Sequence, residues 1–164
     1  MSNNNKQCNT PEELLQNWVL NLVKHKNIIT RDLKETKVVG GDVFCAYKDR
    51  QHYYMVVPEM QGIEDVLERK RQVKYDYDTE NITVVVLNSE NNLKILIANW
   101  YRFVSFPELN FIFVNPFSKN EKKWMVNPHF HQRVCDPDSL ETGLRSMFCT
   151  VDLIDEKTAK KIFT

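Results

Sequence analysis

The sequence predicts an α/β domain, a mixed β-sheet flanked by helices, and three features predict it. Apolar residues recur at helical spacing from Leu14 to Val23. Short runs of β-branched and aromatic residues, separated by turn residues, lie between Asp42 and Val57. A largely apolar run of β-branched type, Ile82–Leu87, follows one stretch of helical period and precedes another. That is the pattern of a strand buried on both faces and reached by right-handed crossovers.

The elements follow in order. Residues 10–24 form an amphipathic helix with Leu14, Leu15, Trp18, Val19, Leu22 and Val23 on one face. Thr10 is its N-cap, Pro11 its first helical residue, and Glu13 completes a capping box. Residues 26–30 read as extended and lead into a short strand over 31–37. Gly40-Gly41 marks a turn, and Asp42–Tyr47 and residues 52–57 form a hairpin around Lys48-Asp49-Arg50-Gln51. Pro58 ends the pairing, because it has no N–H to donate. Residues 63–75 are helical and Ile82–Leu87 is a strand. Residues 92–105 read as one helix, with a strand over 94–98 as the alternative. Strands over 109–115 and 122–127 are stopped by Pro116 and Pro128. Residues 138–149 form a helix capped by Asp138 with Glu141 three residues on, and a short helix covers 155–162. Repeats and linkers are missing, so residues 1–9 read as a flexible polar start and 10–164 as a single α/β domain.

Composition excludes several classes. Lys plus Arg is 22 and Asp plus Glu is 22, so the formal net charge is zero. A protein that holds nucleic acid by bulk electrostatics is usually basic overall, so nucleic-acid binding must rest on local residues. Cys8, Cys45, Cys135 and Cys149 contain no C-x-x-C pair, which argues against a zinc ribbon. They read as reduced buried thiols of a cytoplasmic protein. The stretch 93–106 is interrupted by Lys94, Asn99 and Arg102, so no membrane span is expected. Gly-rich phosphate loops and nucleophile elbows are missing, and neither Cys45 nor Cys149 has a local histidine partner.

The chemistry concentrates at the hairpin. Asp42 opens one strand, and Glu59 follows the end of the next in Val57-Pro58-Glu59-Met60-Gln61. Antiparallel pairing brings both acids to one end of the sheet. Two carboxylates there suit Mg²⁺ or Mn²⁺, which take oxygen ligands, acidify a bound water and steady charge on a phosphodiester oxygen.

This arrangement resembles the restriction-endonuclease-like nucleases, the PD-(D/E)XK superfamily, including archaeal-type Holliday-junction-resolvase-like members. The resemblance is carried by Gly41-Asp42-Val43 and Glu59-Met60-Gln61 in the expected element order, and covers roughly residues 10–115. It implies an αβββαβ core and metal-dependent hydrolysis of DNA, with Asp42 and Glu59 as metal ligands and catalytic acids. It also implies a glutamate from the first helix, Glu13 or Glu12, and a homodimer. Gln61 departs from the pattern, standing where the family has lysine. An amide can orient a water but supplies no charge. Arg69, Lys70, Arg71 and Lys74 on the following helix are the candidate replacement cations and nucleic-acid contacts. The competing readings are a catalytically inactive nuclease-fold domain that binds nucleic acid or a protein partner, and an unrelated α/β interaction module whose acids are surface turns.

Two weaker candidates remain. His129 and His131 would share one face of a strand, with Cys135, Asp136 and Asp138 nearby; the plain alternative is a polar loop. Lys119, Lys122 and Lys123 with Trp124, like the 69–74 cluster with Tyr75 and Tyr77, combine cations with aromatics as single-stranded nucleic acid requires. Solvated faces explain both equally well. Glu64, Asp65 and Glu68 beside the first cluster suggest helical salt bridges.

Overall fold

The computed structural model describes residues 8–162, so most of the predicted flexible start lies outside it. Cys8 and Asn9 are tied to the first helix: Asn17 Nδ2 donates to Cys8 Sγ (2.9 Å) and the Asn9 N–H to Glu13 Oε2 (2.9 Å).

That helix, α1, runs Pro11–Thr30, one and a half turns beyond the predicted end. Its Thr10 cap accepts from the Glu13 N–H (3.2 Å). The expected extension of residues 26–30 is corrected: the helix continues until Arg31 takes a left-handed conformation (φ 52°) and its N–H closes on Asn27 C=O. The exposed Ile28 and Ile29 explain the misreading, since β-branched residues there make no core contact.

Strands β1 (Leu33–Val39), β2 (Asp42–Tyr47) and β3 (Gln51–Val56) form an antiparallel meander. Gly40 makes the β1–β2 turn with φ +60°, a conformation glycine adopts without penalty. Helix α2 (Ile63–Tyr77) crosses to β4 (Ile82–Leu87), parallel to β3. Helices α3 (Glu90–Ala98) and α4 (Trp100–Val104) cross to β5 (Leu109–Val114), parallel to β4. The single helix expected over 92–105 is thus two, divided where Asn99 turns its amide onto Ile95 C=O (2.9 Å). The alternative strand over 94–98 is not formed. Strand β6 (Lys123–Val126) returns antiparallel to β5 and ends the sheet, whose order is β1-β2-β3-β4-β5-β6.

Three more helices follow. Helix α5 (Pro128–Val134) stands where a polar loop or strand was expected, capped by Asn127, which accepts from the Phe130 N–H. Its start satisfies Pro at the first position and Asn before it. A 3-10 turn (Pro137–Ser139) precedes α6 (Leu140–Cys149). The predicted Asp138 cap is corrected, because Asp136 caps the turn through the Asp138 N–H while α6 has no side-chain cap. Helix α7 (Glu156–Ile162) closes the described chain.

Alternation along the strands sorts the core into two layers. Phe44, Tyr53, Met55, Ile82, Val84, Phe111 and Trp124 face α2, α3, α4 and α6. Val43, Cys45, Tyr54, Val56, Val85, Leu87 and Ile112 face α1 and α7. Both faces of β4 are covered, and every one of its residues is buried. Both crossover helices pack on one face, since β3, β4 and β5 lie in sequential order and the connections share a hand.

Candidate functional site

The carboxyl ends of β3 and β4, with the amino end of β2, hold the predicted acids. Register places Val43 opposite Tyr54 and hence Asp42 opposite Met55. Asp42 shares the α2 face with Phe44, Tyr53 and Met55 and is 8% exposed. Its carboxylate takes the place of a missing ladder partner: Oδ1 accepts from the Val56 N–H (2.9 Å). Oδ2 accepts from Tyr53 OH (2.7 Å). Arg69 Nη2 lies 3.0 Å from Oδ1 and 3.2 Å from Oδ2. A carboxylate offers about four lone-pair directions, and four contacts fill them. Burial, then the hydrogen bond to Asp42, push the Tyr53 phenol far above its ordinary range, so it stays a donor.

Arg69 reaches this site because Ile63, Val66, Lys70 and Val73 bury one stripe of α2 against the sheet. Position 69 borders that stripe and looks along the strand ends. The other predicted cations are also occupied within the chain. Lys70 Nζ, nearly buried, pairs with Glu108 Oε1 (2.8 Å) and sits 3.9 Å from the centre of the Phe106 ring. Lys74 reaches the same oxygen at 3.5 Å. Arg71 pairs with Glu68 on the open face of the helix. Burial acts to raise the Glu108 carboxyl, but Lys70, a backbone hydrogen bond and Lys74 together outweigh it and hold it below the usual range.

Glu59 lies at the same sheet end but in a different setting. Oε2 accepts from Ser89 Oγ (3.0 Å) and Asn91 Nδ2 (3.0 Å), at the start of α3. Oε1 is buried and has no hydrogen-bond partner. Burial, with Glu156 and Asp155 adding repulsion, pushes this carboxyl up despite the two hydrogen bonds. The surrounding depression, about 330 Å³, is lined by Glu59, Glu90, Asp155 and Glu156 with Lys157.

The remaining predicted residues do not join them. Gln61 is exposed and makes no recorded hydrogen bond. Glu13 is occupied by the Asn9 N–H, and Glu12 lies exposed on α1, which packs on the sheet face opposite the Asp42 side chain. Among the described residues no group of three or more His, Cys, Asp and Glu is placed to hold a metal ion. His129 and His131 sit two apart on a helix, where side chains do not face each other, instead of on a strand. His129 Nδ1 contacts Val104 C=O (2.9 Å) and His131 Nδ1 contacts Asn127 C=O (2.9 Å). Among the described residues Cys8, Cys45, Cys135 and Cys149 form no disulfide; only Cys45 is buried, and burial pushes it up. The expectation of generally buried thiols is corrected by the exposed Cys149 and the half-buried Cys8 and Cys135.

Three buried asparagines, which the sequence reading did not single out as candidates, clip the loops at this end. Asn88 Nδ2 donates to Phe148, Val151 and Asp152 carbonyls, and its Oδ1 accepts from Trp124 Nε1 (2.7 Å). Asn92 bridges the Met60 N–H and the Pro58 and Leu87 carbonyls. Asn115 Nδ2 holds Asp152 C=O (2.9 Å). An asparagine directly after a mostly apolar strand, as in Leu87-Asn88 and Val114-Asn115, is the signal that marks such clips.

No family model matches this chain, and neither a curated protein nor a solved structure does. No helix among the described residues is long and apolar enough to cross a membrane.

Proposed function

We propose that the chain is a catalytically silent domain on a restriction-endonuclease-like core, and that it acts by binding a partner. The observation that carries this reading is the closed Asp42 carboxylate. Its lone pairs are taken by Tyr53, the Val56 N–H and Arg69, so the chain's own guanidinium stands where a divalent cation would have to bind. The meander β1–β2–β3 followed by α2 and a parallel β4 supports the fold assignment. Gln61 in place of the motif lysine, and the intramolecular pairing of Arg69, Lys70, Arg71 and Lys74, support loss of catalysis and of the expected DNA contacts. A domain of this kind serves as a rigid scaffold, and a protein partner suits its zero net charge better than a polyanion does.

One observation favours the hydrolytic reading: Glu59 Oε1 is a buried acceptor without a donor, which Mg²⁺ or Mn²⁺ would satisfy. The two readings separate in one experiment. Labelled duplex, single-stranded and branched DNA are incubated with the protein in Mg²⁺ and in Mn²⁺, beside Asp42→Ala and Glu59→Ala. Melting temperature is followed over the same metal concentrations, since a cation bound only to the native state raises it. The silent reading expects no cleavage and no metal-dependent melting shift. Cleavage by the parent that either variant loses would overturn it.

A further inference from the structure

We infer that the outer edge of β6 and the apolar groove beside it bind an extended peptide segment of a protein partner as an added strand. This inference rests on the binding-domain reading and gives it a surface. Strand β6 is the last in the sheet. Its register pairs Phe111 with Val126, Ile112 with Met125, Phe113 with Trp124 and Val114 with Lys123. One step further, the Asn115 N–H donates to Lys122 C=O (2.8 Å). Hydrogen-bonded pairs alternate along an antiparallel ladder, so Trp124 and Val126 bond to β5 while Lys123 and Met125 turn their N–H and C=O groups outward. No partner within the described chain is recorded for those outward groups.

The same edge borders a groove of about 380 Å³, floored by Trp124, Val126, Leu140 and Leu144 and walled by Gly143 and Met147 of α6. Met147 remains 46% exposed there. Unpaired backbone groups beside apolar side chains call for a backbone partner, because only an extended chain satisfies both at once. The opposite edge differs: β1 presents Lys34, Glu35 and Lys37, and charges guard an edge against pairing. Charge narrows the ligand further. Asp136 lines the groove and Asp138 follows two residues on, and neither carboxylate is paired with a cation among the described residues. Arg133 lies two positions from His131 on α5 and so points away from the groove that His131 lines. The expected peptide therefore alternates apolar residues and carries a lysine or arginine near Asp136.

Two variants interrogate the edge and the groove separately. Met125→Pro removes an outward N–H that the β5 ladder does not use, which an edge strand tolerates. Gly143→Trp fills the groove from a position whose added Cβ meets nothing within 4 Å. The probe is a displayed library of random dodecapeptides, selected on the parent protein; enriched sequences are synthesised with a fluorophore and titrated by anisotropy. The expected result is an enriched set of alternating apolar residues with a basic residue. Each variant, with unchanged circular dichroism and melting temperature, should weaken binding at least tenfold. Bound peptide should also slow amide exchange at Lys123 and Met125, which binding in the groove alone would not do. Failure to enrich any sequence over Gly143→Trp, equal binding to the parent and both variants, or unaltered exchange at those amides would overturn the inference. So would a parent dimer that Met125→Pro dissociates, since a second copy would then own this edge. These outcomes are independent of DNA cleavage, so a nuclease result refutes the silent reading without touching the peptide measurement.

Discussion

The Asp42–Arg69 pair predicts an asymmetry between its two partners. Arg69→Met removes the cation and leaves a carboxylate, 11% exposed, supported only by Tyr53 OH and the Val56 N–H. Breaking a fully buried pair from one side costs about 3–5 kcal/mol. The Arg69 side chain is 36% exposed, so solvent screening discounts that range to about 2 kcal/mol. Asp42→Asn removes the charge but keeps an oxygen for the Val56 N–H, and Arg69 turns to water. Its cost is about 1 kcal/mol, near one net hydrogen bond. The double variant should cost less than the sum of the singles, with a coupling energy of about 1 kcal/mol. At this chain length 1 kcal/mol moves the melting temperature by roughly 2–4 °C, so Arg69→Met should lower it by roughly 4–8 °C. Urea titrations of the four proteins should show shifted midpoints with a common slope. An Arg69→Met midpoint within 0.5 kcal/mol of the parent on that estimate, or additive single effects, would refute the claim that Arg69 closes the site.

Other expectations concern the same sheet end and its neighbours. Glu59 has its carboxyl raised, chiefly by burial, so its proton is held more tightly in the folded state than in the unfolded one. The resulting stability is complete below the unfolded value and lost as pH rises through the folded one. Glu59→Gln removes the buried charge and should therefore stabilise the protein at pH 7.5 by about 1 kcal/mol, and the gain should vanish in acid. A lower melting temperature for the variant at pH 7.5 would contradict this. His52, its Nε2 2.7 Å from Thr83 Oγ1 and its ring stacked on Tyr54, is pushed down to about 4, first by burial and then by Lys26 and Arg50. Its contribution is whole above the unfolded value near 6.5 and is lost as pH falls toward about 4. That loss is at most about 3 kcal/mol. His52→Gln should flatten the urea midpoint between pH 7 and pH 4, and an unchanged slope would exclude His52 as its source. Asn88→Ala strands Trp124 Nε1 and frees three carbonyls, costing about 2–4 kcal/mol. Hydrogen exchange should show residues 150–155 losing protection first, and a uniform loss across the sheet would speak against a local clip.

Most of the strand order was legible because the sheet is coded locally. Ile82–Leu87 is apolar at every position but Thr83, and its bounds coincide with β4. Asp42–Tyr47 lies between a glycine turn and a charged turn, which fixed β2 to the residue. Helix ends were less legible where tertiary contacts decide them. The last turn and a half of α1 carries no buried residue after Val23, so periodicity stops before the helix does. Helix α5 was hidden because Pro128 ends the strand and starts the helix, and Asn127 serves as its cap. At the site, the sequence indicated that Asp42 and Glu59 share a sheet end but not what fills them. Arg69 lies 27 residues from Asp42, and only the packing stripe of α2 determines that position 69, rather than 71 or 74, reaches the carboxylate.

The topology also bears on where a partner can bind. In open α/β sheets a crevice forms at the strand ends where the order reverses and helices diverge to opposite faces. Here β3, β4 and β5 run in sequence with no reversal, and α2 and α3–α4 stay on one face. The ends of these strands are closed further by Asn88, Asn92 and Asn115, each satisfied by backbone from another segment. Opening a ligand site there would break several buried hydrogen bonds, each with a net worth of about 1 kcal/mol. The β6 edge carries no such penalty, since the outward backbone groups of Lys123 and Met125 have no partner among the described residues. The arrangement that closes the Asp42 end and leaves β6 open is the ground on which the proposed strand addition lies at the margin of the sheet and away from its strand termini.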